Sequence, residues 1–213
     1  MRIQWFGHAC FTIEAGGVTL LTDPFDKTVP YAFPSVPIDI ATVSHGHFDH
    51  NAVHRVAGEY ATIQATGTFE VRGVPIRGIA SFHDAKQGEE RGDNIAYTYV
   101  LEGITLAHLG DLGAPLTSEQ RDALSDVEIL LIPVGGTYTL DAAQAADLCG
   151  QLPKLRIVLP MHYKTDVIAD WPIAGVEEFA ALMDNIRRIG ASTIEVSCDS
   201  LPERREVWIL DHA

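Results

Sequence analysis

"HGHFDH", His45 to His50, sets three histidines and an aspartate within six positions. Imidazole and carboxylate groups are poor core material, and crowding them is costly unless something binds them. A metal ion is the obvious agent. The preceding stretch "IDIATVS" runs apolar as a buried strand that ends directly at His45. The cluster therefore sits on a loop at the C-terminal end of a strand, the edge where α/β proteins bind ligands. His45 and His47 are alternate residues, so an extended loop lets both reach one metal. Asp49 and His50 are adjacent and point differently, which suits a second metal nearby.

Two metals need more donors than this loop supplies, and three candidates stand at other strand ends. His83 opens a polar loop after "GIAS", Asp111 follows "ITLAHL" within "HLGDLG", and His162 follows "RIVLP" within "PMHY".

The surrounding chain reads as one α/β domain over residues 1–213. "RIQWF", "CFTIEA" and "VTLLTDPF" form strands with a hairpin rhythm. "TVPYAFPSVP", with three prolines, fits an ordered loop, and "NAVHRVAGEY" a short helix. Residues 62–80 alternate short strands with turns, and "IAYTYVLEGITLAHLGD" is a hairpin turning at Glu102-Gly103. "TSEQ" is a capping box that opens a helix. "VEILLIPV" and "RIVLP" are buried strands around the helix "DAAQAADLCG", expected to close at Gly150. Val176, Phe179, Met183 and Ile186 mark one face of a helix expected to stop at Gly190. "STIEVS" and "REVWIL" finish as strands.

Composition limits the function classes. With 46% hydrophobic and 21% charged residues, the chain has enough apolar material for a core without disulfides. Cys10, Cys149 and Cys198 form no CxxC, which favours a reducing cytoplasm. No secretory leader pattern and no membrane-spanning apolar run is visible. The formal charge is −14, and two divalent cations would still leave the chain strongly acidic. With no basic stripe, a nucleic-acid partner is not expected, and a small-molecule substrate becomes the default.

The order HxHxDH, then a later His, a "GD" aspartate and a final His resembles the metallo-β-lactamase fold superfamily over nearly the whole chain. "WFGHACFTIEAGGVTLLTDPF" looks like its opening hairpins. "HLGDLG", "LLIPVGGTYTLDAAQA" and "PMHY" look like its small, lid-free bacterial metal-dependent hydrolase branch, which includes relatives of ascorbate-6-phosphate lactonase. The resemblance implies an αββα sandwich, two mixed sheets face to face with helices outside. It also implies a ligand set: His45, His47 and His83 on one metal, Asp49, His50 and His162 on the other, and Asp111 bridging both. His108, three residues before Asp111, is the rival to His83, and the position of the family's "GD" aspartate favours His83. The flavodiiron relatives carry a carboxylate where this chain has His47, which points to zinc, with manganese or iron as the other candidates.

Other residues admit two readings. His8 in "FGHAC" reads as a neighbour of the site or as a structural histidine, and Asp23 in "TDPF" as a turn former or the orienter of a ligating imidazole. Gly135 and Gly136 allow close backbone approach in a turn or face substrate together with Tyr138. Tyr163, Lys164 and Trp171 follow the last candidate ligand, Trp171 reading as packing. His54 and His212 look ordinary.

The implied activity is a hydrolase with a metal-bridging hydroxide acting on a small ester, lactone or related substrate, with Asp49 and Asp111 in catalytic positions. A phosphodiesterase or nuclease of the same fold, and a non-hydrolytic redox or metal-binding protein, are the alternatives.

Overall fold

The computed structural model describes residues 1–213. Its strands are β1 (Arg2–Gly7), β2 (Cys10–Ala15), β3 (Val18–Thr22), β4 (Ile40–Thr42), β5 (Ala61–Ile63), β6 (Gly67–Val71), β7 (Val74–Phe82), β8 (Asp93–Leu101), β9 (Ile104–His108), β10 (Ile129–Pro133), β11 (Ile157–Met161), β12 (Ile186–Arg188), β13 (Thr193–Glu195) and β14 (Glu206–Ile209). The helices are short: α1 (Ser118–Ala123), α2 (Ala142–Gln151) and α3 (Val176–Ala180).

These strands make two mixed sheets, the α/β sandwich that the sequence implies. One runs β13-β1-β2-β3-β4-β5 and the other β12-β14-β11-β10-β9-β8-β7-β6. In the first, β1 to β3 pair antiparallel while β3, β4 and β5 pair parallel. In the second, β6 to β9 form an antiparallel meander, and β9, β10, β11, β14 and β12 continue it in parallel. Parallel neighbours need a crossover, and α2 supplies it between β10 and β11. Fully apolar strands such as "ILLIP" and "IVLPM" are buried at every residue, as expected of parallel strands covered on both faces.

One apolar cluster joins the sheets, with Ile3, Phe11, Ile13 and Leu20 from the first and Ile76, Tyr99, Leu106, Leu131 and Leu159 from the second. Each such side chain contributes about 1.5–3 kcal/mol by leaving water. The proline loop is ordered by a second cluster in which Phe25, Tyr31 and Ile38 meet Ile168 and Ile173. Arg55 spreads its guanidinium over the Phe33 ring, 4.0 Å from its centroid.

Thr117 and Gln120 form the expected capping box, and the hairpin turns at Glu102-Gly103. Three helix readings need correction. "NAVHRVAGEY" yields only a 3-10 turn at Val53–Arg55, with none of its residues buried. α2 runs through Gly150 to Gln151; Leu152 turns extended, the conformation that Pro153 imposes on its predecessor. The apolar spacing from Val176 to Ile186 does not mark one helix: α3 ends at Ala180, Asn185 takes a positive φ of 57°, and Ile186–Arg188 pairs with β14. Edge pairing competes there with helix periodicity and prevails. No helix is long and apolar enough to cross a membrane.

Candidate metal centre

The seven sequence candidates converge at one edge of the sandwich because each stands just beyond a strand. His83 follows β7 and His162 follows β11 with no intervening residue; His45 and Asp111 lie three residues beyond the ends of β4 and β9. His8 after β1 and Asp23 after β3 arrive at the same edge. His8, Asp23 and His162 take positive φ values of 52°, 38° and 51°. Such left-handed conformations cost non-glycine residues on the order of 1–3 kcal/mol each, so the surrounding packing must enforce them.

Two donor groups result. His45, His47 and His83 form one, and Asp49, His50 and His162 form the other, joined by His8. Asp111 lies between them: its Oδ2 is 3.1 Å from His83 Nε2, 3.3 Å from both His50 Nε2 and His162 Nε2, and 3.9 Å from His45 Nε2.

Hydrogen bonds behind the imidazoles set their orientation. Asp23 Oδ2 accepts from His50 Nδ1 at 2.8 Å and from Ser44 Oγ at 2.6 Å. The Ser44 hydroxyl, having donated to Asp23, accepts from His45 Nδ1 at 2.9 Å. His83 Nδ1 donates to the Tyr138 carbonyl at 3.0 Å. In all three rings Nδ1 donates to these partners and Nε2 faces the centre, where the neutral ring would offer its lone pair to a metal. Asp23 thus takes the orienting role, holding one histidine directly and a second through Ser44.

His108 is excluded from the cluster. Its Nε2 donates to the Ala9 carbonyl at 2.8 Å, and its Nδ1 accepts from the Gly110 amide at 3.1 Å. Both ring nitrogens are occupied, whereas His83 points Nε2 at Asp111.

His8 is where sequence reasoning stopped short. It is fully buried, and its Nε2 lies 3.1 Å from Asp49 Oδ2 and 3.1 Å from His50 Nε2. Its ring packs 4.2 Å from that of His162 and edge-on to Trp171. Only "FGHAC" signalled it. Trp171 is more than packing, since it also lines the adjoining cavity, as does Tyr138, whereas Lys164 is exposed outside that cavity.

Glycines allow two ligand loops to approach. A Cβ on Gly135 would collide with the His162 carbonyl oxygen, and one on Gly113 with the His83 carbonyl. Gly135 therefore serves backbone approach, whereas a Cβ on Gly136 would meet nothing closer than 3.6 Å.

The electrostatics match a cation site. Burial opposes ionising Asp111, but His162 and His50 outweigh it and hold the carboxyl well below its ordinary range. Burial disfavours protonated His50, yet Asp111 and Asp23 raise its pKa well above the usual value. Burial and His50 push His45 down to about 3, and burial with His162 pushes His8 down to about 4. His45 Nε2 and His47 Nδ1 lie 2.9 Å apart, and buried Asp111 Oδ1 has no hydrogen-bond partner. Nitrogen and carboxylate donors arranged this way fit a divalent metal.

Known proteins resemble this chain in sequence and fold. The beta-lactamase superfamily domain model matches residues 2–162. A metal-dependent hydrolase of the UPF0173 group from Thermoplasma volcanium is 32% identical over 200 residues, covering 81% of this chain and 88% of that protein. One from Pyrobaculum aerophilum is 31% identical over 218 residues, covering 88% and 94%. A solved structure from Thermotoga maritima, assigned to Zn-dependent hydrolases of the metallo-beta-lactamase superfamily, is 37% identical with a TM-score of 0.85 and covers 100% of this chain and 99% of its own. The human short-form tRNase Z, at 10% identity and a TM-score of 0.59, shares the fold alone. From the domain match and these relatives, the chain belongs to the metallo-β-lactamase superfamily.

Proposed function

We propose that the protein is a dinuclear metal-dependent hydrolase, with zinc as its metal and a small ester or lactone as its substrate. The observation that carries this reading is the place of Asp111 Oδ2, between 3.1 and 3.9 Å from four imidazole Nε2 atoms drawn from both donor groups. His45, His47 and His83 would hold one ion, Asp49, His50 and His162 the other, with Asp111 shared. Ions held there would lower the pKa of a coordinated water to roughly 7 and stabilise negative charge developing on the substrate.

The chain's own residues do the rest. Asp23 keeps His50 Nδ1 protonated and aims Nε2 inward. His8, neutral and buried, donates from Nε2 to Asp49 Oδ2 and fixes that carboxylate. The cavity beside the centre measures about 840 Å³, a volume suited to a small molecule, with Trp171 and Phe48 in its wall. The net charge of −14 and the small cavity weigh against nucleic acid. Three cysteines free of disulfides support a cytoplasmic setting.

Elemental analysis of protein purified without chelator, followed by a screen of lactones, esters, thioesters and phosphodiesters, tests this. Close to two zinc ions per chain and ester or lactone turnover are expected. At most trace metal with no uptake on titration removes the dinuclear reading; phosphodiester turnover alone replaces the substrate class. Manganese or iron in place of zinc corrects only the metal.

A further inference from the structure

His83 is followed by Asp84, a buried carboxylate that organises the polar loop after it. Asp84 Oδ1 accepts from the amides of Lys86 at 2.7 Å and Gly88 at 3.1 Å, and Oδ2 from those of Glu90 at 3.1 Å and Arg91 at 2.8 Å. The loop is thereby closed, and its last bonded residue, Arg91, is fixed in the cavity wall.

A second route ties Arg91 to the metal centre. Its guanidinium lies over the Tyr138 ring, 5.4 Å from the centroid, and the Tyr138 carbonyl accepts from His83 Nδ1. Arg91 is the one lysine or arginine lining the cavity. The guanidinium makes no hydrogen bond to the protein. Its ion pair with Glu90 is long, at 3.8 Å, and Glu90 already accepts from Lys86 Nζ at 2.6 Å. Glu90 and Asp170 are the other charged groups of the wall outside the metal centre, and both would repel an anion. An arginine so braced, with free donors, offers a planar fork suited to a carboxylate or phosphoryl group.

We infer that Arg91 anchors an anionic group, carboxylate or phosphoryl, on the substrate, whose apolar part rests on Phe48 and Trp171. Phe48 is 53% exposed and shares that wall with Trp171. The inference deepens the hydrolase reading and rests on it for the turnover measurements alone.

The test compares mono-4-nitrophenyl glutarate, which is anionic, with neutral 4-nitrophenyl butyrate on metal-loaded protein. The wild type should prefer the glutarate. In Arg91→Gln the ratio of the two kcat/KM values should fall by about 10–100-fold, mainly through KM, with metal content unchanged. Arg91→Lys should lie between, since it keeps charge but loses the fork. No preference in the wild type, or an unchanged ratio in Arg91→Gln, overturns the inference, as does a preference for a cationic ester. Should neither ester be cleaved, the ester reading fails separately, and calorimetric titration of phenylphosphonate decides. At least about tenfold weaker binding to Arg91→Gln retains the anchor; equal affinity, or no binding to either protein, removes it.

Discussion

Asp23 Oδ2 stands 2.8 Å behind His50 Nδ1, so a carboxylate from the end of β3 sets the orientation of an imidazole twenty-seven positions later. The same carboxylate reaches His45 through Ser44, making Asp23 the common support of both donor groups. Asp23→Asn should tolerate the positive φ of that position, because asparagine accepts the left-handed region. It removes the charge behind His50. Metal affinity should fall by about 10–100-fold, read by competitive titration with a chromogenic chelator. Unchanged affinity would reduce Asp23 to a turn former.

Asp111→Asn should abolish hydrolysis and release at least one metal while circular dichroism stays unchanged. The amide offers one good oxygen and no charge where Oδ2 now faces four imidazoles. A turn residue after Gly110 would behave oppositely, with modest destabilisation and normal metal content.

His83→Ala and His108→Ala should separate cleanly. Loss of His83 should lower metal affinity by more than about 100-fold, beyond the effect expected for a supporting partner, and leave the melting temperature little changed. Loss of His108 leaves the Gly110 amide without its acceptor and the buried Ala9 carbonyl with Thr22 Oγ1 alone, and should cost about 1–3 kcal/mol of stability with metal retained. Chelator titration and thermal denaturation of both variants check the ranking; the reverse order would exchange their roles.

The Asp84 loop carries a pH dependence of known sign. Burial works against the ionised carboxyl, but amides of Arg91, Lys86, Glu90 and Gly88 hold its pKa below the ordinary value. A depressed carboxyl stabilises the fold fully above its unfolded pKa, about 3.9, and loses that contribution as pH falls through the lower folded value. Hydrogen-exchange protection at Lys86, Gly88, Glu90 and Arg91 should therefore persist at pH 6 and be lost only in stronger acid, as pH falls through that lowered value. Asp84→Ala should show the unprotected pattern already at pH 6, and retained protection would mean the loop holds itself by other means.

Gly135→Ala should displace His162, since the new methyl group meets its carbonyl oxygen. The expected result is weaker binding of one metal with the other retained. Gly136→Ala, whose methyl has room, serves as the comparison, although its φ of 64° adds backbone strain. Two metals held at wild-type affinity in Gly135→Ala would show that the loop yields.

The sequence by itself determined most strands and the candidate donors. Unbroken apolar runs such as "ILLIP" can only be buried, and a histidine or aspartate directly after such a run must emerge at a sheet edge. That local logic offers candidates at strand ends, and their order along the chain, which resembles the superfamily's, is what singles out His45, His47, Asp49, His50, His83, Asp111 and His162. Tertiary structure decided what depends on distant partners. His108 is disqualified by a carbonyl ninety-nine residues away, and His8 enters the cluster because β1 delivers it beside Asp49 and His50. Ile186–Arg188 became an edge strand because β14 offered an unpaired backbone, which outweighed the helical spacing from Val176 onward. Arg91 reads in the sequence as one more charge in a polar loop. Four amide hydrogen bonds to Asp84 and the Tyr138 ring turn it into part of the cavity wall, and no local pattern encodes a contact whose partner lies forty-seven residues away.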